Sequence, residues 1–221
     1  MVGSDVEFIK KCLGAGLIQP PCLELGVGYH GPNNKDIIKT GGIEYFGTDI
    51  TGGAAVDYVV DFEESAETIR EKLKGKQFGS VLVLNVLEHT FNPIKVLDNI
   101  FSIVRPKGTC IVITPTVWPL HDFPRDCWRI NPNFYEEYCR RRSLNLLTDY
   151  FEYIGFYRVQ ERTDSAGSYV LPAPARTDFK SLKSRVVHKL FNTCGRAMFF
   201  PSHVATGVVI ENQPPTESDE L

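Results

Sequence analysis

The chain has few of the features that mark secreted, membrane-spanning or disordered proteins. Its 221 residues include two Trp, two Met and six Cys, and no two cysteines form a Cys-x-x-Cys pair. No stretch approaches the roughly 18 uninterrupted apolar residues that a membrane helix needs. The hydrophobic content of 43% is enough for a sizeable core. A disordered chain and a small disulfide scaffold are therefore excluded.

Neither sign of charge is in large excess. The 24 Lys and Arg residues against 27 Asp and Glu residues give a formal net charge of −3. This leaves no global basic field of the kind that a dedicated nucleic-acid binder carries, so we expect no nucleic-acid partner. The first residues, MVGSDVEFIKKCLGAG, carry acids where a signal peptide has basic and then apolar residues. We expect a cytoplasmic protein with reduced thiols and no structural zinc.

Apolar strand-like runs alternate with helix-like stretches through the first two thirds of the chain, which is typical of crossover units on a parallel sheet. The pattern therefore predicts an α/β fold with a mostly parallel sheet. The expected strands are residues 22–25, 43–50, 56–62, 80–85, 109–114, 156–161 and 204–211. The expected helices are residues 6–18, 33–40, 63–74, 93–104, 134–142 and 144–153.

The domain organisation follows from where this alternation stops. We predict a single domain over residues 1–212, with a Pro- and Trp-rich lid loop at 116–132. An insert at 163–201 precedes the last strand. The Pro-rich and then acidic residues 213–221 are predicted to form a disordered tail.

A glycine-rich turn follows the first predicted strand. The run Glu24-Leu25-Gly26-Val27-Gly28-Tyr29-His30-Gly31 fits Gly-x-Gly-x-x-Gly, in which missing β-carbons let a ligand approach the backbone. Asp49 ends the second strand and Asp61 the third. Because the carboxyl ends of parallel strands face the ligand crevice, we expect these two carboxylates to flank one nucleoside. The alternative is a set of turn glycines and helix-capping acids.

Glu24 decides which nucleoside ligand the turn favours. A dinucleotide places its pyrophosphate at such a turn, where a carboxylate two residues before the first Gly would repel it. A sulfonium ligand with an amino-acid arm brings positive charge to the same place. A nicotinamide-dependent oxidoreductase is also disfavoured because the chain has no recognisable Tyr-x-x-x-Lys pair for hydride chemistry.

These residues, together with Leu84-Asn85-Val86-Leu87-Glu88-His89, resemble the class I S-adenosylmethionine-dependent methyltransferases. Residues 81–114 are similar to the ubiquinone-type small-molecule branch, and the resemblance covers roughly residues 20 to 160. It departs at Gly108-Thr109, where the family commonly has two glycines, and at Gly79, where it often has an acid. The resemblance implies a Rossmann-like, seven-stranded, mostly parallel sheet with an insert before the last strand. It also implies S-adenosyl-L-methionine as cofactor and a small-molecule acceptor.

The resemblance also assigns residues to the methionine part of that cofactor. Gly26 and Gly28 would pass the methionine moiety closely. Glu24 would act on its amino group, directly or through water. Asn85 would lie beneath the methionine portion at the end of the fourth strand.

The resemblance assigns three other residues to the adenosine part of the cofactor. Asp49 would hold the ribose hydroxyls. Asp61 would meet the exocyclic amine of adenine and Phe62 its ring face. A metal set of Asp122, Asp126 and His121 has no second supporting cluster in the sequence, so we predict no metal.

Candidate catalytic and acceptor residues follow the fourth and fifth strands. An oxygen acceptor of high pKa needs a base, and His suits that role near neutral pH, so His121 and His89 are the catalytic candidates and O-methylation is favoured. For His89 the alternative is an imidazole bonded to local backbone. The candidate acceptor-binding residues are Trp118, Asp126, Trp128 and Arg129. Alternatively, both tryptophans fill the core while the Asp126 and Arg129 side chains pair on a helical turn.

The insert contains a basic amphipathic stretch at residues 176–196. Such a stretch can rest on an anionic membrane surface or bind an anionic acceptor. We favour simple packing over the sheet with a solvated basic face. A different class of function, a cofactor-binding regulatory protein without catalysis, has the same cofactor-site residues and differs only in turnover.

Overall fold

The computed structural model describes residues 3–28, 34–118, 125–155, 159–161 and 204–213. Its helices are α1 (Gly3–Gly14), α2 (Lys35–Thr40), α3 (Ala66–Lys72), α4 (Pro93–Phe101) and α5 (Pro132–Arg142). Its strands are β1 (Cys22–Leu25), β2 (Tyr45–Asp49), β3 (Tyr58–Val59), β4 (Phe78–Leu84), β5 (Val104–Val117), β6 (Asn145–Leu146), β7 (Glu152–Gly155), β8 (Val159–Glu161) and β9 (Val204–Glu211). Short 3-10 turns lie at Leu87–His89 and Thr148–Tyr150.

The strands form one sheet in the order β3-β2-β1-β4-β5-β9-β7-β8, with β6 paired to β9. The five strands from β3 to β5 are parallel, and β9 runs antiparallel between β5 and β7. The predicted α/β, Rossmann-like sheet is confirmed. In the described residues it has two more strands than the seven predicted, because β6 and the start of β7 lie in the segment predicted to be a helix.

The central strands are apolar on both faces because the sheet separates two hydrophobic clusters. Every residue of β4 is buried. Since successive side chains point to opposite faces, Val81 and Val83 lie in one cluster, whereas Leu82 and Leu84 lie in the other. A continuous apolar run is therefore what this position requires.

Side chains at the helix starts explain two of the helix boundaries. The hydroxyl of Ser65 accepts a hydrogen bond from the Thr68 N–H at 3.2 Å and caps α3. The side-chain oxygen of Asn92 accepts one from the Lys95 N–H at 3.1 Å, and Pro93 occupies the first turn of α4. The predicted helix start at Pro93 is confirmed, and the helix ends three residues earlier than expected, at Phe101.

The predicted helix over residues 144–153 is wrong. This segment contains β6, a 3-10 turn and the start of β7. Both strands pair antiparallel with β9, and Phe151 and Ile154 are buried in the core. Pairing with a distant strand satisfies the backbone and buries these side chains, and it therefore outweighs local helix propensity.

Several other expectations meet the structure only in part. The predicted strand 156–161 corresponds to β8 at Val159–Glu161, and the predicted strand 109–114 is longer, as β5. Five described cysteines are free thiols, of which Cys127 is exposed. Residues 119–124 of the lid loop, the insert at 163–201, Cys194 and residues 214–221 lie outside the described residues. Within the described ranges, no helix is long and apolar enough to cross a membrane.

Candidate active site

The candidate site lies where parallel strands β1, β2 and β4 end side by side. Gly26 follows β1, Asp49 ends β2 and Asn85 follows β4. Strand β1 pairs with both β2 and β4, so these three positions share one edge of the sheet. This edge is where ligands bind in open parallel sheets.

The turn after β1 needs glycine at two positions. Gly26 has a positive φ of 77°, and its N–H donates to the Thr48 carbonyl at 2.8 Å. A β-carbon at Gly28 would lie 2.7 Å from the carboxyl carbon of Asp49. Any side chain at Gly28 would therefore displace either the turn or this carboxylate.

The carboxylate of Asp49 binds the glycine turn directly. One oxygen accepts the Gly28 N–H at 2.9 Å. The other accepts the Thr51 N–H at 2.9 Å and the Thr51 hydroxyl at 3.0 Å. The structure thus brings together Asp49 and the glycine turn, the two features that the sequence predicted to lie at the ligand site.

Glu24 lies beneath the turn and is 3% exposed. Its carboxylate accepts hydrogen bonds from the Asn34 N–H at 3.1 Å, the Asn34 side-chain amide at 2.9 Å and the Tyr45 hydroxyl at 2.7 Å. Burial raises the pKa of Glu24, while these hydrogen bonds lower it. Glu24 therefore ties β1 to β2 and to the residue just before α2. Its expected action on a ligand amino group stays a prediction.

The two residues expected at the adenine have different environments. Asp61 is exposed, and its carboxylate accepts the Glu63 N–H at 2.8 Å. Phe62 is 5% exposed and belongs to the hydrophobic core. The Asn99 side chain donates to the Phe62 carbonyl at 2.8 Å and fixes the chain here. The Asp61 carboxylate is therefore accessible to an adenine, whereas the Phe62 ring could contact one only through the small part that is exposed.

Asn85 has the left-handed backbone conformation, with φ of 54°. Its N–H donates to the Ile113 carbonyl at 2.8 Å, and its side-chain amide donates to Asp5 at 3.1 Å. Asn tolerates this conformation better than most residues, and such backbone strain is common at functional sites. Asp5 comes from α1, so the first helix also reaches this edge. The sequence carried no signal for Asp5.

Residues 125–131 are fixed onto the 3-10 turn that follows β4. The N–H groups of Cys127 and Trp128 both approach the Glu88 carbonyl, at 2.7 and 3.3 Å. Nδ1 of His89 lies 3.1 Å from the Arg125 carbonyl, and the Trp128 indole donates to the Thr90 carbonyl at 2.9 Å. His89 therefore contacts the backbone of a segment 36 residues further along the chain, and its catalytic role stays a prediction.

Three of the four candidate acceptor-binding residues, Asp126, Trp128 and Arg129, lie in this segment, and Trp118 follows β5. Asp126 and Arg129 form a two-pronged ion pair, in which Nη2 of Arg129 lies 2.6 Å from Asp126 and Nη1 makes the second contact. Arg129 also donates to the Trp118 carbonyl at 3.1 Å. The pair lies in an irregular segment rather than on a helical turn. Trp128 is 44% exposed, so it does not fill the core.

Glu88 is a residue of this site to which the sequence analysis gave no role. It is 1% exposed, and neither carboxylate oxygen has a hydrogen-bond partner within the described part of the chain. Nε2 of His89 lies 3.7 Å from one of these oxygens. Burial raises the pKa of Glu88 to about 8, and its own backbone N–H opposes this rise. The charge of Asp126 also raises the pKa, whereas that of Arg129 lowers it. The sequence signal was an acid within an otherwise uncharged run after a buried strand.

One predicted catalytic residue cannot be placed. His121 lies outside the described residues, so its role stays a prediction. Within the ranges that are described, no group of three or more His, Cys, Asp or Glu residues is arranged to hold a metal.

Comparisons with known proteins identify the fold. Neither protein-family models nor curated protein sequences give a match to this chain. Among solved structures, an S-adenosylmethionine-dependent methyltransferase from Archaeoglobus fulgidus matches with a TM-score of 0.53 and 18% identity, covering 93% of each chain. The fold is that of class I methyltransferases.

Two other solved structures show how broadly this fold is used. A 1,6-didemethyltoxoflavin-N1-methyltransferase from Burkholderia thailandensis, with S-adenosylhomocysteine bound, matches with a TM-score of 0.54 and 10% identity, over 93% of this chain and 76% of that chain. The [4+2]-cyclase SpnF matches with a TM-score of 0.54 and 11% identity, over 94% of this chain and 81% of that chain. Since a cyclase shares the fold, activity must be argued from the site.

Proposed function

We propose that this chain is an S-adenosyl-L-methionine-dependent methyltransferase with a small-molecule acceptor. One observation carries the proposal: the Asp49 carboxylate lies within hydrogen-bond distance of the glycine turn, at the shared edge of β1 and β2. A carboxylate at the end of the second strand can accept both ribose hydroxyls of an adenosine. The fold shared with methyltransferases and the motif Leu87-Glu88-His89 support a small-molecule enzyme of the ubiquinone type.

The residues present fit this cofactor. The absence of a β-carbon at Gly28 leaves space against Asp49 that any other residue would fill. Asp49 offers two acceptor oxygens and is half-buried, so it remains open to a ligand on one side. When bound, S-adenosylmethionine supplies a methyl group on a cationic sulfur. The glycines admit its methionine part, and Asp61 and Phe62 are the residues available to adenine.

Glu24 favours this cofactor over a nicotinamide dinucleotide. Its carboxylate is buried directly before the turn and is held there by Asn34 and Tyr45. A pyrophosphate seated on the turn would face this acid across a low-dielectric interior, which is unfavourable whenever Glu24 is ionised. A cationic methionine moiety does not meet this repulsion.

The chain's contribution to catalysis would be largely alignment. Methyl transfer is an in-line displacement, and correct placement of the acceptor can supply much of the rate acceleration. We place the acceptor between the 3-10 turn at Leu87–His89 and residues 125–131, because these segments carry Trp128 and the Asp126–Arg129 pair. Oxygen methylation, which the sequence favoured, depends on His121 as its base.

Titration calorimetry on the full chain tests the cofactor. We expect S-adenosylhomocysteine and S-adenosylmethionine to bind with micromolar affinity and NAD not to bind. NAD binding with no S-adenosylmethionine binding would overturn the proposal. Binding without turnover on any acceptor would instead support the regulatory protein that the sequence left as an alternative.

Replacing Asp49, the carboxylate that ends β2, tests whether the cofactor binds at this edge of the sheet. We expect Asp49→Ala to weaken S-adenosylhomocysteine binding by about 1–3 kcal/mol, because the ribose hydroxyls lose their acceptor. Asp57→Ala is the matched control, since Asp57 also accepts a backbone N–H, from Gly47 at 2.8 Å. An affinity unchanged by Asp49→Ala, or lowered equally by Asp57→Ala, would remove Asp49 from the ligand site.

A further inference from the structure

Glu88 is a buried acid whose position in the fold calls for a partner. It lies in the turn after β4, and its backbone carbonyl accepts the Cys127 N–H at 2.7 Å. Cys127 and Trp128 are exposed, so Glu88 lies directly beneath surface residues. This is the region where the proposed function places the acceptor, and any role for Glu88 toward that acceptor rests on the proposed function.

The carboxylate of Glu88 lacks the hydrogen bonds that buried acids normally have. Glu24, also buried, is contacted by three donor groups. Among described residues, neither oxygen of Glu88 meets a donor of another residue, and its own backbone N–H favours the charged form. A buried polar group without a partner costs free energy, and natural structures contain few of them. A ligand that donates a hydrogen bond to Glu88 would remove this cost.

The charges around Glu88 select the kind of donor. The carboxylates of Asp126 and Asp5 both oppose its ionisation electrostatically, and the only cation among the described groups acting on it is Arg129. That guanidinium is already committed to Asp126. The titratable and charged groups that face Glu88 from all described elements are Asp5, His89, Asp126, Arg129 and Tyr135.

We propose that the methyl acceptor is an amine, and that Glu88 binds its ammonium form and accepts the proton that must leave before methylation. An ammonium supplies the N–H donors that Glu88 lacks and adds a second positive charge to a region where Arg129 stands against the three acids Asp5, Asp126 and Glu88. A carboxylate or phosphate acceptor would meet repulsion from these acids.

The proton balance also favours nitrogen over oxygen. An alkylammonium has a pKa close to that of lysine, about 10.4, and burial raises the pKa of Glu88 to about 8. These values are close enough for a proton to pass between the two groups. An aliphatic hydroxyl is about as weak an acid as water, far weaker than an ammonium, and the anion it forms would be repelled by the acidic surroundings.

The step then balances in atoms and charge. An N–H bond of the ammonium breaks and an O–H bond forms on Glu88, which leaves a neutral amine with a free electron pair. That pair forms the bond to the methyl carbon of the proposed sulfonium donor, while the carbon–sulfur electron pair returns to sulfur. The proton on Glu88 passes to solvent after the product leaves.

The test compares three probes of the same shape on the full chain with S-adenosylhomocysteine present. Cyclohexylamine, cyclohexanol and cyclohexanecarboxylate are titrated by calorimetry and ligand-observed NMR between pH 6 and 9. We expect only cyclohexylamine to bind. Because Glu88 must lose its proton to bind an ammonium, affinity should rise about tenfold per pH unit up to about pH 8 and then level, with a proton released to the buffer.

Variants assign this behaviour to Glu88. We expect Glu88→Gln, which keeps the shape of the side chain, to lower cyclohexylamine affinity at pH 8 by about tenfold or more and to remove its pH dependence. Glu67→Gln, an exposed acid on α3, is the matched control and should bind as the wild type does. If Glu88→Gln does not fold, proton release by the wild-type chain alone decides the question.

Three results would overturn the inference: binding of cyclohexanol or cyclohexanecarboxylate as strong as that of the amine, amine binding without proton release, or equal amine affinity in Glu88→Gln. The result for the proposed function is separate. If S-adenosylhomocysteine fails to bind, the methyltransferase assignment fails, whereas amine binding is then measured on the ligand-free chain and judged by the same criteria.

Discussion

At the scale of single residues, burial changes how two acids of the site hold a proton. Glu24 and Glu88 both have raised pKa values because both are removed from water. They differ in their neighbours: Asn34 and Tyr45 donate to Glu24, whereas two other carboxylates act on Glu88. Glu24 therefore links β1 to Asn34 and to Tyr45 of β2 through hydrogen bonds. Glu88 has no donor from another described residue.

The raised pKa of Glu88 predicts a pH-dependent stability. Its folded-state pKa is about 8, above the ordinary value of about 4.3 that it regains on unfolding. The folded chain thus binds a proton that the unfolded chain releases, and this contribution is lost as pH rises toward 8. Relative to Glu88→Gln, we expect the wild-type free energy of unfolding to fall by up to about 1.4 kcal/mol per pH unit between pH 5 and 8.

Urea denaturation of both proteins at each pH from 5 to 9 measures this difference. Plotted against pH, the free energies of unfolding of the two proteins should diverge up to about pH 8 and run parallel above it. Glu67→Gln, which alters an exposed acid, should follow the wild type throughout. Parallel curves for Glu88→Gln and wild type across the whole range would contradict a raised pKa at Glu88.

At the scale of elements, the glycine turn and the end of β2 form one unit. The Gly28 N–H donates to the Asp49 carboxylate, which also accepts the N–H and the hydroxyl of Thr51. The position of the Asp49 carboxylate therefore depends on the absence of a side chain at Gly28. A change on one element is expected to move the functional group of the other.

Gly28→Ala tests this dependence. The new β-carbon would lie 2.7 Å from the Asp49 carboxyl carbon, so the turn or the carboxylate must shift. We expect a stability loss of about 1–3 kcal/mol, as for other overpacked sites, and at least about tenfold weaker S-adenosylhomocysteine binding. Denaturation and calorimetry measure the two effects.

Gly52→Ala is the control for this variant. Gly52 follows β2, and a β-carbon at this position would have none of the described atoms within 4 Å. Its replacement should therefore leave stability and binding close to wild type. Wild-type binding by Gly28→Ala would show that the contact between Asp49 and the turn has no part in the site.

At the scale of the whole molecule, the sheet holds the described elements together. Strand β5 pairs with β4 on one side and β9 on the other, and hydrophobic clusters cover both faces. At one edge, β3 pairs only through Thr48 and Asp49 with Tyr58 and Val59. The stability of the backbone should therefore decrease from the centre of the sheet to this edge.

Hydrogen exchange measures that gradient. We expect the amides of residues 81–84 and 110–113 to exchange only through near-global unfolding, because they are buried and paired on both sides. Amides of β3 should exchange at least about tenfold faster through local opening. Equal protection of β3 and β4 would mean that the edge is held by contacts that the pairing pattern does not reveal.

The sequence by itself determined the succession of strands and helices along the ligand-binding half, and the positions of the glycine turn and Asp49 at strand ends. Strand β1 spans the predicted residues 22–25, and α4 begins at the predicted Pro93. The glycine turn and Asp49 fall where their spacing placed them. These features depend on apolar periodicity and on residue types with strong local preferences, and both can be read along the chain.

The tertiary structure alone decided the features that depend on distant segments. Residues 144–153 are not helical, because β9 pairs with them from more than 50 residues away. Glu24 is a structural tie because Asn34 and Tyr45 meet it in space. Glu88 is buried without a partner from another described residue, and it is Asp5 of α1 and Asp126, both distant in sequence, whose charges act on it. A local pattern records which groups a chain carries, whereas solvent exposure and charge neighbours arise only when the chain is folded.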